Sequence, residues 1–493
     1  MLDATRRAFN LTATGSLLNA TMNRRHFIRN TSFLAAGAML GSVSGAAETG
    51  FPVVRIPEAK RKFTSRAVER IIETMKARMS NKELAWLFEN CFPNTLDTTV
   101  DFQVVDGRPD TYVITGDIDA MWLRDSTAQV WPYLPLARED RRLQTLLAGV
   151  VNRQTRCVLI DPYANAFNYG PTGSEFDKDL THMKPELHER KWEIDSLCYA
   201  IRLAHGYWKT TGDSSCFDTH WRRAAALIVQ TFREQQRLRG RGPYSFQRAA
   251  ANPYDSLPQD GFGNPARPCG LIHSGFRPSD DACVFPFLVP SNLFAVASLG
   301  QLAAVFDAEL PDKGFARECR ELAAEVSEAL DKHAKAVRPR YGETWAYEVD
   351  GFGNQLFIDD ANVPSLLSLP YLGCCAADDP VYQHTRAWVL SEDNPYYYRG
   401  TAAEGLGGPH SGLGMIWPLG IVTRALTSRS EVEISACLKM LKNTHAGTGL
   451  MHESFFKDDA GRFTRSWFAW ANTLFGELIL TVHERHPGLL SRV

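Results

Sequence analysis

The chain of 493 residues contains no Cys-x-x-Cys and no His-x-x-x-His. The common zinc and dithiol scaffolds therefore lack their ligand spacing, and neither a metal site nor a cofactor is expected. Glu404-Gly-Leu-Gly-Gly-Pro-His410 is glycine-rich but has no following Lys-Ser/Thr and no clear preceding strand. That excludes a nucleotide-phosphate cradle there. Formal net charge is only -2, so neither nucleic acid nor an anionic membrane is an expected partner. No unit of roughly 34 to 47 residues recurs, which counts against an open solenoid. No low-complexity segment or linker divides the chain.

The apolar stretch Thr31–Leu40 is too short and too rich in Ala and Gly to span a bilayer. It follows Met22-Asn-Arg-Arg-His-Phe-Ile-Arg29 and precedes Ser44-Gly-Ala-Ala47. Twin arginines, a modest apolar run and a small-residue site read as a twin-arginine export signal rather than a membrane anchor. Met22 is then the expected start. Residues 1–47 form an upstream extension plus signal peptide, and residues 48–493 the main domain. The expected location is periplasmic or extracellular. All ten Cys follow the leader, several at apolar helix positions such as Cys198 and Cys319. Most are expected as buried thiols, although an oxidising compartment permits one or two disulfides.

Aromatic residues are abundant, with 11 Trp and 15 Tyr. Aromatics in polar loops suit a sugar pocket, because a pyranose has an apolar face that stacks on a ring. Helical spacing of apolar residues places a first helix over 65–79 and a short one over 84–92. Residues 98–114 alternate around Asp106-Gly107, which predicts a hairpin. A loop-helix-loop-helix pattern then recurs. The expected pairs are 120–136 with 141–159, 194–208 with 217–237, and 291–306 with 315–333. Two more join 363–369 to 381–390 and 413–426 to 431–441, and a last helix covers 466–484. The first helix, 65–79, is the candidate partner of the last. Six such hairpins close into an all-α (α/α)6 toroid, with the loops before the inner helices gathered at one face. A Pro/Gly/Asn-rich connection over 244–272 is expected as a long loop over that mouth.

Several of these loops carry acids beside Trp, Arg or His. Thr115-Gly-Asp-Ile-Asp-Ala-Met-Trp-Leu-Arg-Asp125 offers Asp119, Trp122, Arg124 and Asp125. Asp and Arg can hold vicinal hydroxyls and Trp can stack on the ring, but Arg124 and Asp125 would equally serve as a buried pair tying helices. His188-Glu-Arg-Lys-Trp-Glu193 adds Lys191, Trp192 and Glu193, or is simply a solvated helix start. Arg277, a candidate substrate contact, lies with Asp280 and Asp281 in Ser274–Cys283, where a carboxylate could cap a helix, bind a cation or hold a proton. Asp359, Asp360 and Asn362 read as helix caps. His410 is either a sugar contact or a structural histidine. Glu453, in Met451-His-Glu-Ser454, has little capping logic. Two acids facing one another across an aromatic pocket are what glycosidic bond cleavage requires.

Four segments carry a family resemblance: Ile114–Ser126, Gly275–Ala282, Ile358–Leu366 and Gly449–Phe455. Their motifs, in this order, resemble those of glycoside hydrolase family 125. The likeness runs from about Lys60 to the C-terminus. It implies an (α/α)6 barrel and an exo-acting, metal-independent, inverting α-1,6-mannosidase working on mannose-containing oligosaccharides or N-glycans. Carried over by motif, Asp280 corresponds to the general acid and Glu453 to the general base, with Asp281 the alternative acid. Burial is expected to raise the Asp280 pKa, and hydration to keep Glu453 ionised. An inverting pair stands about 6.5–9.5 Å apart, leaving room for water. The competing readings are a toroidal glycosidase or phosphorylase of another sugar, a non-catalytic carbohydrate-binding protein, and a structural toroid.

Overall fold

Helix starts divide the molecule into two kinds of helix. Ser65, Asn81, Asp140, Asp218, Asp312, Asp379 and Ser430 each accept a backbone N–H from the first turn of the helix that follows. Such caps satisfy amide groups that have no intrahelical partner. These helices, Arg66–Arg78, Lys82–Cys91, Arg141–Ile160, Thr219–Gln235, Lys313–His333, Pro380–Val389 and Glu431–Asn443, form the outer layer. Leu123–Val130, Ile194–Thr211, Val289–Ala308, Pro418–Leu426 and Ala469–Arg485 start from Trp122, Glu193, Leu288, Trp417 and Phe468, with no side-chain cap. They form the inner ring. Val289–Ala308 is long and apolar enough to cross a membrane; here it packs on Ile194–Thr211 inside the ring and on Lys313–His333 outside it.

The structure, a computed structural model, describes residues 50–249 and 252–493. The expected leader and cleavage site, within residues 1–47, lie outside the described residues. Residues 51–493 form one compact unit. Leu123–Val130 neighbours Ile194–Thr211, which neighbours Val289–Ala308 and, through Tyr199, the segment 359–373; that segment meets Pro418–Leu426, which meets Ala469–Arg485, which returns to Leu123–Val130. The ring is closed, as expected for an (α/α)6 toroid.

Four expectations need correction. The fourth inner element is a chain of turns, not a helix over 363–369. Pro364 disfavours helical backbone at Val363, and the buried Asp359 carboxylate accepts the N–H groups of Leu366 and Leu367 (2.8 and 3.0 Å). The first inner helix begins at Leu123, not 120, and passes into a 3-10 turn, Trp131–Arg138, carrying Pro132 and Pro135. The helix expected from 413 begins at Pro418, because Met415–Ile416 is a strand paired with Phe455–Phe456. Finally, Ala469–Arg485 packs on Lys82–Cys91, not principally on Arg66–Arg78. Gly476 permits this: a Cβ there would meet Phe92 at 2.5 Å.

The hairpin Val100–Val105 with Arg108–Val113 is as expected. Short strands such as Met121–Trp122, Phe287–Leu288 and Met415–Ile416 feed directly into inner helices. All ten cysteines are free thiols, buried except for the half-buried Cys269, Cys374 and Cys375.

Candidate active site

The loops before the inner helices meet at one mouth. On one wall, Arg277 to Asp281 make a tight turn: the Arg277 N–H donates to Asp281 O (2.8 Å) and the Asp280 N–H to Arg277 O (2.9 Å). Asp280 adopts φ +65°, a left-handed conformation unusual for a side chain other than glycine. Such a residue persists only where its surroundings enforce it. Here the buried Arg277 donates Nε to Glu348 (2.6 Å), and the other Glu348 oxygen accepts the Val284 and Phe285 N–H groups (3.0 and 2.9 Å). Arg277 is thus a buckle under the loop rather than a sugar contact. Neither Asp280 nor Asp281 caps a helix; the next begins at Val289.

Asp280 Oδ1 accepts from Asn165 (3.2 Å) and Arg124 (3.4 Å). Arg124 also donates to Glu193 (2.6 Å) and Asp195 (3.0 Å). Glu193 Oε2 further accepts from Ser196 (2.9 Å), while its buried Oε1 has no donor from the protein. The Asp280 and Glu193 carboxyls act on one another. Burial drives Glu193 well above the usual carboxylate range; Arg124 opposes this, and the Asp280 and Asp195 charges add to it. Burial also raises Asp280, but Arg124, Lys191 and the Glu193 hydrogen bond outweigh it and hold it below its ordinary value. The expectation of a raised Asp280 is therefore corrected. Asp280 is the stronger acid of the pair, because it stands between two cations, Arg124 and Lys191, that its own segment does not reveal.

Across the mouth, Glu453 accepts from Thr464 (2.8 Å) and from Arg465 (3.4 Å). Arg465 also donates to Thr115 O (2.9 Å) and pairs with Asp117. Both partners of Glu453 sit at the end of the hairpin formed by Phe455–Phe456 and Asp459–Phe463. His410 Nδ1 stands 3.4 Å from Asp281. Burial would lower its pKa, but Asp281, Glu453 and Asp280 prevail and raise it to about 9. His410 is therefore an imidazolium at neutral pH, and Asp281 is occupied by it and by the Ser279 hydroxyl (3.0 Å).

The other expected residues divide. Trp122 faces His188 edge-on (centroids 5.3 Å apart), and its indole N–H has no partner. The Trp417 indole, 6.1 Å from His410, is likewise free. Asp119 is exposed on the rim. Asp125 is buried and accepts from Thr115 (2.5 Å), so it braces the loop. Lys191 is held by Glu189 (3.3 Å) and Asp255 (3.2 Å) and acts on Asp280 through its charge. Trp192 is not a pocket wall: it is fully buried, donates to His273 O (2.7 Å) and packs on Tyr163 and Phe232. Asn165, Glu348 and Arg465 do not stand out in the sequence. Asp195 could have been found, since it follows the charged cluster by one helical step. Among the described residues, no three His, Cys, Asp or Glu side chains group as metal ligands do.

Separately supported acids around a closed helical ring, with indole N–H groups free between them, define a toroidal glycoside hydrolase. The profile of the metal-independent alpha-mannosidases (GH125) matches residues 81–480, and the chain belongs to that family. It is 42% identical over 460 residues to the meiotically up-regulated gene 157 protein of Schizosaccharomyces pombe, covering 90% of each chain. It is also similar to a solved metal-independent alpha mannosidase of Streptococcus pneumoniae, captured in a non-productive complex with alpha-1,6-mannobiose. Identity is 42% and the TM-score 0.82, over 85% of this chain and 98% of the other.

Proposed function

We propose that the protein is an exo-acting, inverting α-1,6-mannosidase that removes terminal, non-reducing α-1,6-linked mannose from glycans. The observation that carries the chemistry is the independent support of two carboxylates, Asp280 by Arg124 and Asn165, Glu453 by Thr464 and Arg465. The linkage is inferred from the pneumococcal relative and its ligand. In this reading the proton on Glu193 moves to Asp280 once the sugar displaces water from the pair. Asp280 then donates it to the glycosidic oxygen as the bond from that oxygen to C1 breaks, the bonding electrons leaving with the oxygen. Glu453 takes a proton from water, whose oxygen attacks C1 from the opposite face. Mannose is released as the β-anomer. Both carboxylates keep some solvent contact at the mouth, Asp280 with 27% and Glu453 with 13% of the side chain exposed, so water can reach either.

The test is incubation with α-1,2-, α-1,3- and α-1,6-mannobiose, reading the first product by proton NMR. The proposal expects preferred cleavage of the α-1,6 linkage and initial β-mannose, with activity retained after EDTA dialysis. Initial α-mannose would remove the inverting mechanism, and preference for another linkage would remove the specificity. Mannose 1-phosphate formed only in the presence of phosphate would instead make it a phosphorylase. We also infer export by the twin-arginine route from Arg24-Arg25 and the apolar run behind them. Replacing both by Lys should leave uncleaved protein in the cytoplasm; processed protein in the periplasm would refute the route.

A further inference from the structure

A second cavity, of about 510 Å³, opens beside the C-terminal end of the outer helix Thr219–Gln235. Its lining includes Arg237, Arg241, Phe262, Gly263, His273 and Phe287, and none of the carboxylates described above.

Three buried polar atoms of this cavity, Arg237 Nη2 and both ring nitrogens of His273, are left without partners among the described residues. Arg237 donates Nε to Gln235 (3.2 Å) and Nη1 to Phe262 O (2.9 Å), but its buried Nη2 has no acceptor. Arg241 lies over the Phe262 ring, 5.1 Å from its centre. Among the described residues neither guanidinium forms an ion pair, and no carboxylate acts on Arg237. Burial and the Arg241 charge pull Arg237 down to about 10. His273 is 1% exposed, and neither of its ring nitrogens has a partner. Gly263 keeps it open: at φ +86°, a Cβ would stand 3.3 Å from Nε2 and meet nothing else but that ring. Buried donors without acceptors are unfavourable in isolation, and a half-buried guanidinium with no carboxylate partner adds to the cost. A ligand that satisfies all of them removes the conflict.

We propose that this cavity binds a phosphate dianion, free or esterified to a sugar. Arg237, half-buried with its Nη2 enclosed, is its anchor, Arg241 its outer clamp and His273 its neutral hydrogen-bond partner. Guanidinium forks match phosphate oxygens in pairs. Two unpaired guanidiniums suit a dianion better than a carboxylate, which carries one charge. A neutral imidazole offers one donor and one acceptor, and the acceptor suits a hydroxyl on the ligand. Phe262 and Phe287 supply apolar walls, and the volume leaves room for a hexose beside the phosphate.

The test is calorimetric titration of the full chain at low ionic strength with inorganic phosphate, mannose 6-phosphate, mannose and glucuronate. Both phosphates should bind saturably at one site. Arg237→Gln should weaken them by about tenfold or more, the loss of one buried charge-assisted pair. Arg241 is exposed, so Arg241→Gln should fold normally. It should weaken phosphate roughly threefold, as a solvent-screened contact does, and leave hydrolysis of mannobiose unchanged. Mannose 6-phosphate binding well above inorganic phosphate identifies a sugar phosphate as the ligand; equal binding identifies the free ion. The proposal falls if phosphate does not saturate, if both variants bind it as the wild type does, or if glucuronate binds more tightly.

Discussion

The wall that carries Asp280 and the wall that carries Glu453 hold the same functional group in opposite ways. Asp280 is fixed by a strained turn and a buried buckle and lies under the influence of two cations and a second carboxyl, Glu193. Glu453 is held at a hairpin edge by one hydroxyl and one guanidinium. Environment, not residue type, separates proton donor from proton acceptor. In the proposed mechanism the proton is stored not on Asp280, at the bond to be cleaved, but on Glu193 behind it.

The largest effect should come from Glu453→Gln, which leaves water without its base. We expect kcat to fall by about 10³- to 10⁴-fold on mannobiose and on a dinitrophenyl mannoside alike. Asp280→Asn should fall by about 10³-fold on mannobiose and recover most of that on the dinitrophenyl substrate, whose leaving group needs no proton. The reverse pattern of rescue would exchange the two roles.

Next in size is Glu193→Gln, which keeps shape but removes the stored proton. The remaining Asp280, beside Arg124 and Lys191, is an ordinary or depressed carboxyl, so it deprotonates at lower pH. The alkaline limb of kcat/KM should shift downward, with about a 10- to 100-fold loss at pH 7 on mannobiose. An unmoved limb would make Glu193 merely a brace for Arg124.

Trp122→Ala should be milder, raising KM roughly threefold to tenfold with an unchanged circular dichroism spectrum, the loss of one ring contact. Unaltered KM would place Trp122 outside the sugar path. The smallest effect belongs to His410. Its pKa of about 9 means that the imidazolium is present through neutral pH and lost above about 9. His410→Asn should remove any weakening of substrate binding between pH 8 and 10. If the wild type shows no such weakening, the charge on His410 plays no part in binding.

Much of this was legible in the sequence. Motif loops stood out because acids, Trp and Arg crowd positions just before apolar helices. Capping was the competing reading for Asp280–Asp281 and Asp359–Asp360, and the structure divides them by position. Outer helices are capped by their own Ser, Asn or Asp, whereas the inner helices start from strands and leave their acids to the mouth. Asp359 does bind backbone amides, but those of a turn rather than a helix. Trp192 and Arg277 misled because a residue beside a functional one in sequence can point into the core. Glu348 and Asn165 were invisible because each is a lone polar residue in an ordinary stretch, meaningful only through a partner tens of positions away.

The ring is fastened by both ends of the chain. Asn472 on the last helix donates to Asn94 (3.1 Å), Lys442 pairs with Glu83 (2.9 Å), and Arg78 meets His483. Translation delivers these partners at opposite times. The segment that emerges early must wait, with one face unpaired, until the last helix has left the ribosome. Vectorial synthesis therefore cannot complete this protein piecemeal. Deleting only the final helix should leave Lys82–Cys91 and its neighbours exposed to chaperones and proteases, while the middle pair Val289–Ala308 and Lys313–His333, which does not pack on it, remains intact.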